Sequence, residues 1–353
     1  MKPLDKVESR NYPPKWGRYD KTSGDRQGSK HDAIDDDTDI STPETERNHV
    51  HAVYDAIATQ WHHTRGKRGV LWPGATQFLK QLPKGSIVAD VGCGDGKYFP
   101  AIWEAGSYVI GTDISEPLLQ TSIGACSQQT KTTNTNGTSS SGPQNRQVSH
   151  SNIGLNARPA LAVADCMHIP LKSKSCDAAI CIAVMHHLST APRRRRCLEE
   201  LSRVVKTGGR INVQAWALEQ DQNSRRKFAG TDVFVPFNAQ PRYLDRIEHE
   251  RRKGGSGSVS SSGTPRSKSA ENQNSTGDKN TNDKECKGVA EMYSDAYDGA
   301  EYDERKGLVV FQRYCHMYKE GELEDIVSKI DSLEMVESGF ESGNHFVILK
   351  VVN

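Results

Sequence analysis

Three acidic residues stand where predicted buried strands end, and one of them opens a glycine-rich turn. They are Asp90, before the turn that contains Gly92, Gly94 and Gly96; Asp113; and Asp165, which is followed by Cys166. Glycines let a backbone approach a ligand where a Cβ atom would collide. Carboxylates accept hydrogen bonds from hydroxyl, amino and ammonium groups. The pattern predicts a site for a nucleoside.

Each acid suits a different part of such a ligand. Asp90 can orient the loop or meet a cationic end, and Asp113 can accept both ribose hydroxyls. Asp165 can accept from an adenine amino group, with Cys166 beside the ring. The spacing is GxGxG rather than the GxGxxG of dinucleotide sites, and three acids do not suit a pyrophosphate. We therefore predict S-adenosylmethionine as the cofactor, with a nicotinamide dinucleotide as the alternative.

The methyl acceptor is narrowed by motifs that the chain lacks. It has no Pro-Cys pair, which argues against methylation of a ring carbon through a covalent cysteine adduct. No Asn-Pro-Pro-Tyr run follows the fourth predicted strand, which argues against methylation of a base amino group. That strand is followed instead by His186 and His187, which we expect at the mouth of the cofactor site.

The elements that must position these residues alternate in type. Apolar runs predict strands, and helical spacing predicts the segments between them. We predict strands at 86–91, 108–114, 160–164, 177–184, 210–216, 335–340 and 345–352, and helices at 100–104, 117–125, 193–205 and 321–330. Alternation of this kind gives a parallel, doubly wound sheet, and the last two strands form a hairpin. The predicted fold is an α/β class I S-adenosylmethionine-dependent methyltransferase, Rossmann-like, with a mostly parallel sheet and a C-terminal antiparallel hairpin.

Composition separates the parts that can form a core from those that cannot. Mean hydropathy is −0.70, and the polar excess is concentrated in three segments. Residues 127–158, for example, contain 20 Ser, Thr, Asn or Gln in 32 positions. Such segments cannot offset the entropy lost on folding. We predict a disordered tail at 1–45, and a methyltransferase domain at 46–353 with disordered insertions at about 127–158 and 253–300.

Charge and cysteine content limit the function classes. The net charge is +1, so any nucleic-acid contact must be local, and no apolar run is long enough to span a membrane. Eight cysteines without a CxxC pair predict reduced thiols in the cytoplasm, with the nucleus as a further possibility.

The histidines near residue 60 have no chelating pattern, and we predict no metal. Residues 193–196 are four arginines, predicted to form either a solvated helix face or a contact to RNA phosphates.

Longer motifs carry a family resemblance over nearly the whole predicted ordered chain. They include 50–58, 64–65, 72–73, 90–98, 113–118, 186–189, AWALEQ at 215–220, 235–238, RYCH at 313–316, 320–323 and GNH at 343–345. On these motifs the chain resembles the eukaryotic tRNA wobble-uridine (5-carboxymethyluridine) carboxyl methyltransferases. It is similar also to the methyltransferase part of an oxygenase–methyltransferase fusion.

The resemblance implies methylation of the carboxylate of 5-carboxymethyluridine at the tRNA wobble position, giving the methyl ester, 5-methoxycarbonylmethyluridine. A carboxylate is ionised at pH 7, so the enzyme must hold and aim it rather than deprotonate it. Candidate clamps are Arg65, His187, Arg313 and His316. Candidate substrate-binding residues are Tyr54, Trp216, Phe237 and Asn344, the first three as stacking platforms for an anticodon-loop base.

The same resemblance implies two partners, the tRNA anticodon loop and a small zinc-binding methyltransferase activator protein that pairs with the sheet edge. Two alternatives stay open at the level of sequence. One is a small-molecule O-methyltransferase of the same fold. The other is a non-catalytic regulatory relative that binds cofactor or a partner. The intact acids, glycine turn and histidine pair favour the enzyme, and the RYCH and GNH motifs favour tRNA.

Overall fold

The computed structural model describes most of the predicted ordered chain. It covers residues 40–64, 70–129, 158–220, 224, 227–244, 290–297 and 299–353, with side chains omitted from 123 to 129. The predicted tail and both predicted insertions lie largely outside the described residues, and so does Arg65. Within the described ranges, no helix is both long enough and apolar enough to cross a bilayer.

Most of the helices are short. The N-terminal helical run, residues 44–63, changes from α-helical to π-helical hydrogen bonding and back. They are α1 (Glu44–Glu46), a π-helical segment (Arg47–His51), α2 (Ala52–His63), α3 (Pro73–Lys80), α4 (Phe99–Glu104), α5 (Glu116–Gln129), α6 (Ala191–Val204), α7 (290–296) and α8 (Glu322–Val327). Two single turns of 3₁₀-helix lie at Met185–His187 and Pro241–Tyr243.

In the part of the chain that the structure describes, ten strands form two sheets. They are β1 (Ile87–Val91), β2 (Tyr108–Asp113), β3 (Ala160–Val163), β4 (Cys176–Ile182), β5 (Val205–Trp216), β6 (Asp232–Ala239), β7 (Glu301–Asp303), β8 (Leu308–His316), β9 (Leu333–Glu341) and β10 (Asn344–Val351). The large sheet has the order β3-β2-β1-β4-β5-β10-β9, and the small sheet has the order β6-β8-β7.

The large sheet has the predicted architecture. β1 to β5 pair in parallel, and β10 pairs antiparallel with both β5 and β9. The β9–β10 connection is the two residues Ser342 and Gly343, with φ angles of 52° and 77°. Both angles are positive, as the tight turns that join twisted strands require. The parallel arrangement brings the ends of β1, β2 and β4 to one edge of the sheet.

Apolar side chains cover both faces of this sheet. One cluster packs α6 and α8 against the sheet and includes Leu198, Leu201 and Leu323. The other packs α3 and α4 against the opposite face and includes Phe78 and Phe99. Burial on both faces explains why β4 reads as a continuous apolar run rather than an alternating one.

The small sheet was not anticipated from the sequence. β8 pairs antiparallel with β6 and β7, and α2 packs on it through Val53 and Ile57. Gln60 of α2 joins this helix to the strand edge, because Nε2 donates to the Asn238 carbonyl (3.0 Å) and Oε1 accepts from the Gln240 amide (2.6 Å). The small sheet therefore sets the position of α2.

Three sequence expectations need correction. The second insertion was predicted to reach residue 300, but α7 is helical and Tyr293 and Tyr297 are buried in the core under the small sheet. The glycines after α6 were expected to precede a strand at 210, whereas β5 begins at Val205 and includes them. Arg193 and Arg194 are buried, so they form neither a solvated helix face nor an exposed phosphate contact. Only Arg195 and Arg196 remain at the surface, where they pair with glutamates of the same helix.

Candidate functional site

A cavity lies at the edge of the large sheet where β1, β2 and β4 end, and the N-terminal helical run lines one side of it. Its wall contains all three predicted acids and most of the glycine turn. The lining residues used below are Glu46, His51, Tyr54, Trp61, Asp90, Gly92, Cys93, Gly94, Asp113, Ile114, Asp165, Cys166, Val184, His187 and Arg193.

The backbone geometry of this turn requires glycine. Gly92, Gly94 and Gly96 have φ angles of 73°, 56° and 72°. A Cβ atom on Gly92 would lie 2.3 Å from a methyl carbon of Val184, and one on Gly96 would lie 2.5 Å from the Phe99 ring. The turn therefore forms a cradle that side chains would fill. Gly92 and Gly94 line the cavity, whereas Gly96, which was also predicted to contact the cofactor, is not part of its wall.

Asp113 holds the turn in place from the next strand. Its Oδ2 accepts from the Gly94 amide (2.8 Å), and its Oδ1 accepts from the Ser115 amide (2.9 Å). Burial raises the pKa of Asp113 to about 6, against the opposing effect of these two amides. Each oxygen keeps a second lone pair, so the predicted ribose contact is compatible with this arrangement.

Asp90 is the most perturbed acid of the site. Burial, followed by the charge of Asp113, raises the pKa of Asp90 to about 8. Its Oδ2 is buried and has no hydrogen-bond partner among the described residues. A buried carboxylate oxygen without a partner is costly, and a cationic ligand group would relieve that cost. This orphaned atom fits the methionine end of S-adenosylmethionine.

Asp165 also lines the cavity and is held by two neighbours. Its Oδ1 accepts from the Met167 amide (2.9 Å), and its Oδ2 accepts from Arg193 (3.2 Å). Cys166 lines the cavity beside it, and hydrogen bonding to Cys197, together with burial, raises the pKa of the Cys166 thiol well above its usual range. The thiol is therefore a neutral wall group, as expected for a residue beside a base.

The N-terminal helical run brings Tyr54 to His187. The Tyr54 hydroxyl lies 2.8 Å from Nε2 of His187, and Nδ1 of His187 lies 2.8 Å from the Tyr314 carbonyl oxygen. Nδ1 must donate to the carbonyl, so Nε2 accepts from the tyrosine. Burial lowers the pKa of His187 to about 3. His187 is neutral and fully bonded, which corrects its expected role as a carboxylate clamp.

Arg313 is surrounded by aromatic side chains. Its guanidinium carbon lies 5.7 Å from the centre of the Trp61 ring and 5.6 Å from that of Phe237. Burial raises the pKa of Tyr54, and the positive charge of the nearby Arg313 opposes this effect. Nε of Arg313 is buried without a partner among the described residues. Arg313 thus stands directly behind the cavity wall that Tyr54 and Trp61 form.

Two further predicted residues have structural contacts that correct their expected roles. His316 lies between two carboxylates, with Nδ1 3.0 Å from Asp232 and Nε2 2.6 Å from Glu322. Asn344 donates through Nδ2 to the carbonyls of Glu341 and Ser342, each at 3.0 Å, and so closes the hairpin turn. Neither residue is part of the cavity wall.

Trp216 and Phe237 pack beside the site rather than in its wall. The Trp216 ring stacks on His186 at 4.9 Å between centroids, and on Phe228 at 6.3 Å. Phe237 packs on Trp61 with centroids 5.9 Å apart. Both keep part of their surface exposed, so the predicted stacking role is retained as a prediction.

Several site residues were missed by sequence reasoning. Glu46, His51, Trp61 and Arg193 line the cavity, and burial lowers the pKa of His51. The resemblance had included His51 in a matching stretch, but no local signal distinguished it or Glu46 from ordinary helix residues. Trp61 lies seven positions after Tyr54, which places both on one face of a helix, and that spacing could have found it.

One group of potential metal ligands is present among the described residues. His186, His187 and Cys315 offer ligand atoms within 4.8 Å of one another. Both ring nitrogens of His187 are already bonded to tyrosine groups. We assign no metal to this cluster.

Comparison with known proteins places the chain among methyltransferases. A family model described as a methyltransferase domain matches residues 89–213. The solved structure of the CcbJ methyltransferase from Streptomyces caelestis is similar over 86% of this chain and 99% of that chain, with a TM-score of 0.50 and 14% identity. At this identity the likeness shows the fold.

Two relatives are similar over longer or more identical stretches, and both are named tRNA (carboxymethyluridine(34)-5-O)-methyltransferase. The Schizosaccharomyces pombe protein is 30% identical over 308 residues, which are 86% of this chain and 97% of that protein. The Arabidopsis thaliana protein is 39% identical over 184 residues, which are 52% of this chain. The match spans only 36% of the Arabidopsis protein's length.

Proposed function

Since the chain belongs to the tRNA (carboxymethyluridine(34)-5-O)-methyltransferase family, we propose that it methylates the carboxylate of 5-carboxymethyluridine at the tRNA wobble position. The product is the methyl ester, 5-methoxycarbonylmethyluridine. S-adenosylmethionine, when bound, supplies an electrophilic methyl group. Asp90, the glycine turn, Asp113 and Asp165 hold this cofactor in the proposed site.

The observation that carries the proposal is the surrounding of Arg313. The Arg313 guanidinium lies against the packed pair of Trp61 and Phe237 rings, beside the wall of the cofactor cavity. Aromatic surfaces stack on splayed-out RNA bases, and a guanidinium binds a carboxylate through two parallel hydrogen bonds. A uridine that carries a carboxymethyl group needs an aromatic surface for its base and a guanidinium for its carboxylate. The two must lie about one carboxymethyl length apart. The arrangement of Trp61, Phe237 and Arg313 supplies both.

The residues of the chain contribute positioning rather than proton transfer. The acceptor carboxylate is ionised at neutral pH, so no general base is needed. Tyr54 orients Arg313 from the cavity side, and His187 in turn fixes the Tyr54 hydroxyl by accepting its proton in a hydrogen bond. The aromatic wall excludes water, which strengthens the interaction of the carboxylate with the guanidinium. Catalysis by proximity and orientation is consistent with this set of groups.

The chemistry of the product provides a direct test. Methyl esters are hydrolysed by mild alkali, whereas methyl groups on a ring nitrogen, a ring carbon or a ribose oxygen are retained. We expect that tRNA labelled with radioactive-methyl cofactor and the purified protein releases its label as volatile methanol in mild base. Label that stays in the nucleoside would contradict carboxyl methylation. Labelling of small molecules but not of tRNA would favour the O-methyltransferase alternative.

Two controls make this test specific. Transcribed tRNA with an unmodified wobble uridine lacks the carboxylate and should accept no label. The Arg313→Lys variant keeps the charge but loses the paired N–H geometry, so it should bind cofactor and transfer methyl slowly. Base-labile label in the unmodified transcript would show that another group is methylated.

We also propose that a small zinc-binding activator protein pairs with strand β3. This strand is the edge of the large sheet, and within the described chain it pairs on one side only, with β2. Val163 at its end is 54% exposed, which is high for a branched apolar residue. Pairing of an incoming strand would satisfy the open backbone groups and cover this side chain.

Co-expression with an activator of this class tests the partner proposal. The wild-type protein should co-purify with it and melt at a higher temperature in its presence. Val163→Lys should weaken the complex, whereas Val336→Lys, an equally exposed change on the opposite edge strand β9, should not. Equal binding by both variants would place the partner elsewhere.

A further inference from the structure

A buried ion network crosses the adenine end of the proposed cofactor cavity. Nη2 of Arg193 lies 3.2 Å from Oδ2 of Asp165 and 2.9 Å from Oε2 of Glu46. Nε of the same arginine donates to Oε1 of Glu46 at 3.1 Å. The side chains of Arg193 and Glu46 are each 1% exposed. One guanidinium therefore bridges two carboxylates that belong to distant parts of the chain.

Glu46 is also bound from a second direction. Its Oε1 accepts from the Ser189 amide at 2.7 Å and from the Ser189 hydroxyl at 2.9 Å. The removal of one partner from a buried ion pair is costly, because the other charge is left without compensation. Glu46, Arg193 and Asp165 are therefore energetically coupled through the shared guanidinium.

Glu46 stands at the beginning of the helical run that lines the cavity. The run continues through the π-helical segment Arg47–His51 into α2, without a break between Glu44 and His63. Tyr54 and Trp61 lie on this same run and form the wall in front of Arg313. Short π-helical segments occur often at functional sites, where they re-aim side chains within a helix. Here the segment lies between the ion network and the aromatic wall.

We propose that Arg193 and Glu46 are positioning residues that join cofactor recognition to the acceptor site. Arg193 holds the Asp165 carboxylate in the orientation that accepts the 6-amino group of adenine. Through Glu46, the same guanidinium sets the helical run that carries Tyr54 and Trp61. Binding of the adenine ring thus fixes the wall against which the acceptor is placed. The inference rests on the proposed function for the identity of the cofactor.

The network has a consequence for selectivity. A carboxylate held in one orientation accepts from an amino group and repels a carbonyl oxygen at the same ring position. The inosine analogue of S-adenosylhomocysteine carries a carbonyl oxygen in place of the 6-amino group, and its N1 gains a hydrogen. We expect the wild-type protein to bind the adenosine compound about tenfold or more tightly, because a site built around one hydrogen-bonding group rejects the analogue that lacks it.

Glu46→Gln is the first test variant, since it keeps the side-chain shape and removes one charge of the network. Asp165→Asn is the second, and it changes the adenine acceptor directly. Each should lower the adenosine-to-inosine affinity ratio, measured by calorimetry. Once Asp165 is Asn, Glu46→Gln should change the ratio no further, because its effect is exerted through Asp165. Glu199→Gln, on the exposed face of α6 and paired with Arg195, is the matched control and should leave the ratio unchanged.

Hydrogen exchange measures the second half of the inference. At matched saturation, S-adenosylhomocysteine should slow amide exchange in residues 44–63 of the wild type and of Glu199→Gln, and should slow it much less in Glu46→Gln. If Glu46→Gln lowers only the melting temperature, and leaves both the affinity ratio and the protection intact, the network is merely structural and the inference is overturned. A wild-type protein that does not discriminate between the two ligands overturns it as well.

Arg193→Lys keeps the inference testable if Glu46→Gln fails to fold. Lysine retains the charge but cannot bridge two carboxylates in fork geometry, so it should lower the affinity ratio in the same direction. Neither readout uses tRNA. A protein that binds and discriminates the cofactor analogues but methylates no tRNA would overturn the proposed function and leave this inference in place.

Discussion

The replacement of Asp90 by Asn should remove the part of the pH dependence of cofactor binding that Asp90 causes. The pKa of Asp90 is raised from 3.8 to about 8 in the cofactor-free protein. At pH 7 the carboxyl is therefore about nine-tenths protonated. A cationic group of the cofactor can pair only with the ionised form, so binding at neutral pH must release a proton. The released proton is the measurable sign of the contact.

The expected size follows from the ionised fraction. That fraction is about 1% at pH 6 and about one half at pH 8, so the affinity should rise about 50-fold between them. The amino group of the cofactor itself also titrates in this range. Asp90→Asn keeps an acceptor oxygen but has no proton to lose, so its pH dependence reports the ligand and Asp113, whose pKa is about 6. The difference between the two proteins isolates Asp90.

The same shift affects the stability of the cofactor-free protein, with the opposite sign from a paired carboxylate. Between pH 4 and pH 8 the folded state retains a proton that the unfolded state has lost. The contribution of Asp90 to the free energy of unfolding should therefore fall as the pH rises through this window. In Asp90→Asn this contribution should be absent.

Calorimetry with S-adenosylhomocysteine at pH 6, 7 and 8, in two buffers with different ionisation enthalpies, measures both affinity and proton release. Asp303→Asn, which alters a carboxylate paired with Lys306 on the small sheet, is the control. A wild-type protein that releases no proton at pH 7, with the same affinity profile as Asp90→Asn, would refute the reasoning. The Asp90 carboxyl would then be satisfied by another group.

Three other changes test separate parts of the site. Gly92→Ala should abolish cofactor binding in calorimetry, because its Cβ would lie 2.3 Å from Val184, whereas Gly85→Ala, with a φ of 86° but no atom within 4 Å of its Cβ, should bind normally. Asp113→Ala should lose cofactor affinity and also about 1–3 kcal/mol of unfolding free energy, since two amides lose their acceptor; unchanged affinity would contradict its assignment. Arg313→Lys should lower kcat for tRNA more than tenfold at unchanged cofactor Kd, and a parallel loss of both would place Arg313 in the cofactor site.

The parallel sheet and the cofactor cradle could be predicted because their signals are local. A buried strand reads as an apolar run, and the turn at Gly92 needs glycine for its positive φ whatever surrounds it. The hairpin at Ser342 and Gly343 is local for the same reason. Asn344 was assigned to substrate, although a short polar side chain after such a turn commonly bonds to the turn itself.

The small sheet could not be predicted because its pairing is distant. Asp232 pairs with His316 across 84 positions, which include the second predicted insertion. β6 also contains Pro236. Because proline has no N–H to donate to a neighbouring strand, its presence argues against a strand in the interior of a sheet. Without this sheet, nothing in the sequence positions Arg313 against Trp61 and Phe237.

The burial of Arg193 shows why residue type alone misled. A run of four arginines normally lies in solvent, and two of the four do. Arg193 is buried because it pairs with the carboxylate of Glu46, which lies 147 positions away in the sequence. A buried charge is tolerated only when it is paired, and the partner was not identifiable from the sequence. The role of His316 was mispredicted for the same reason. Its ring pairs with Asp232, which is distant in the sequence, and with Glu322 of the neighbouring helix α8.

The contact of Gln60 with the small sheet has a bearing on solubility. Edge strands expose unpaired backbone groups to which another chain can add, and β6 is an edge of the small sheet as far as the described residues extend. The Gln60 amide occupies the Asn238 carbonyl and the Gln240 N–H together, much as a neighbouring strand would. The Gln60 side chain thus occupies two backbone groups at the end of β6 to which a strand of another molecule could otherwise add. Because Gln60 belongs to the helix that lines the cavity, protection against aggregation and the placement of Tyr54 depend on the same helix.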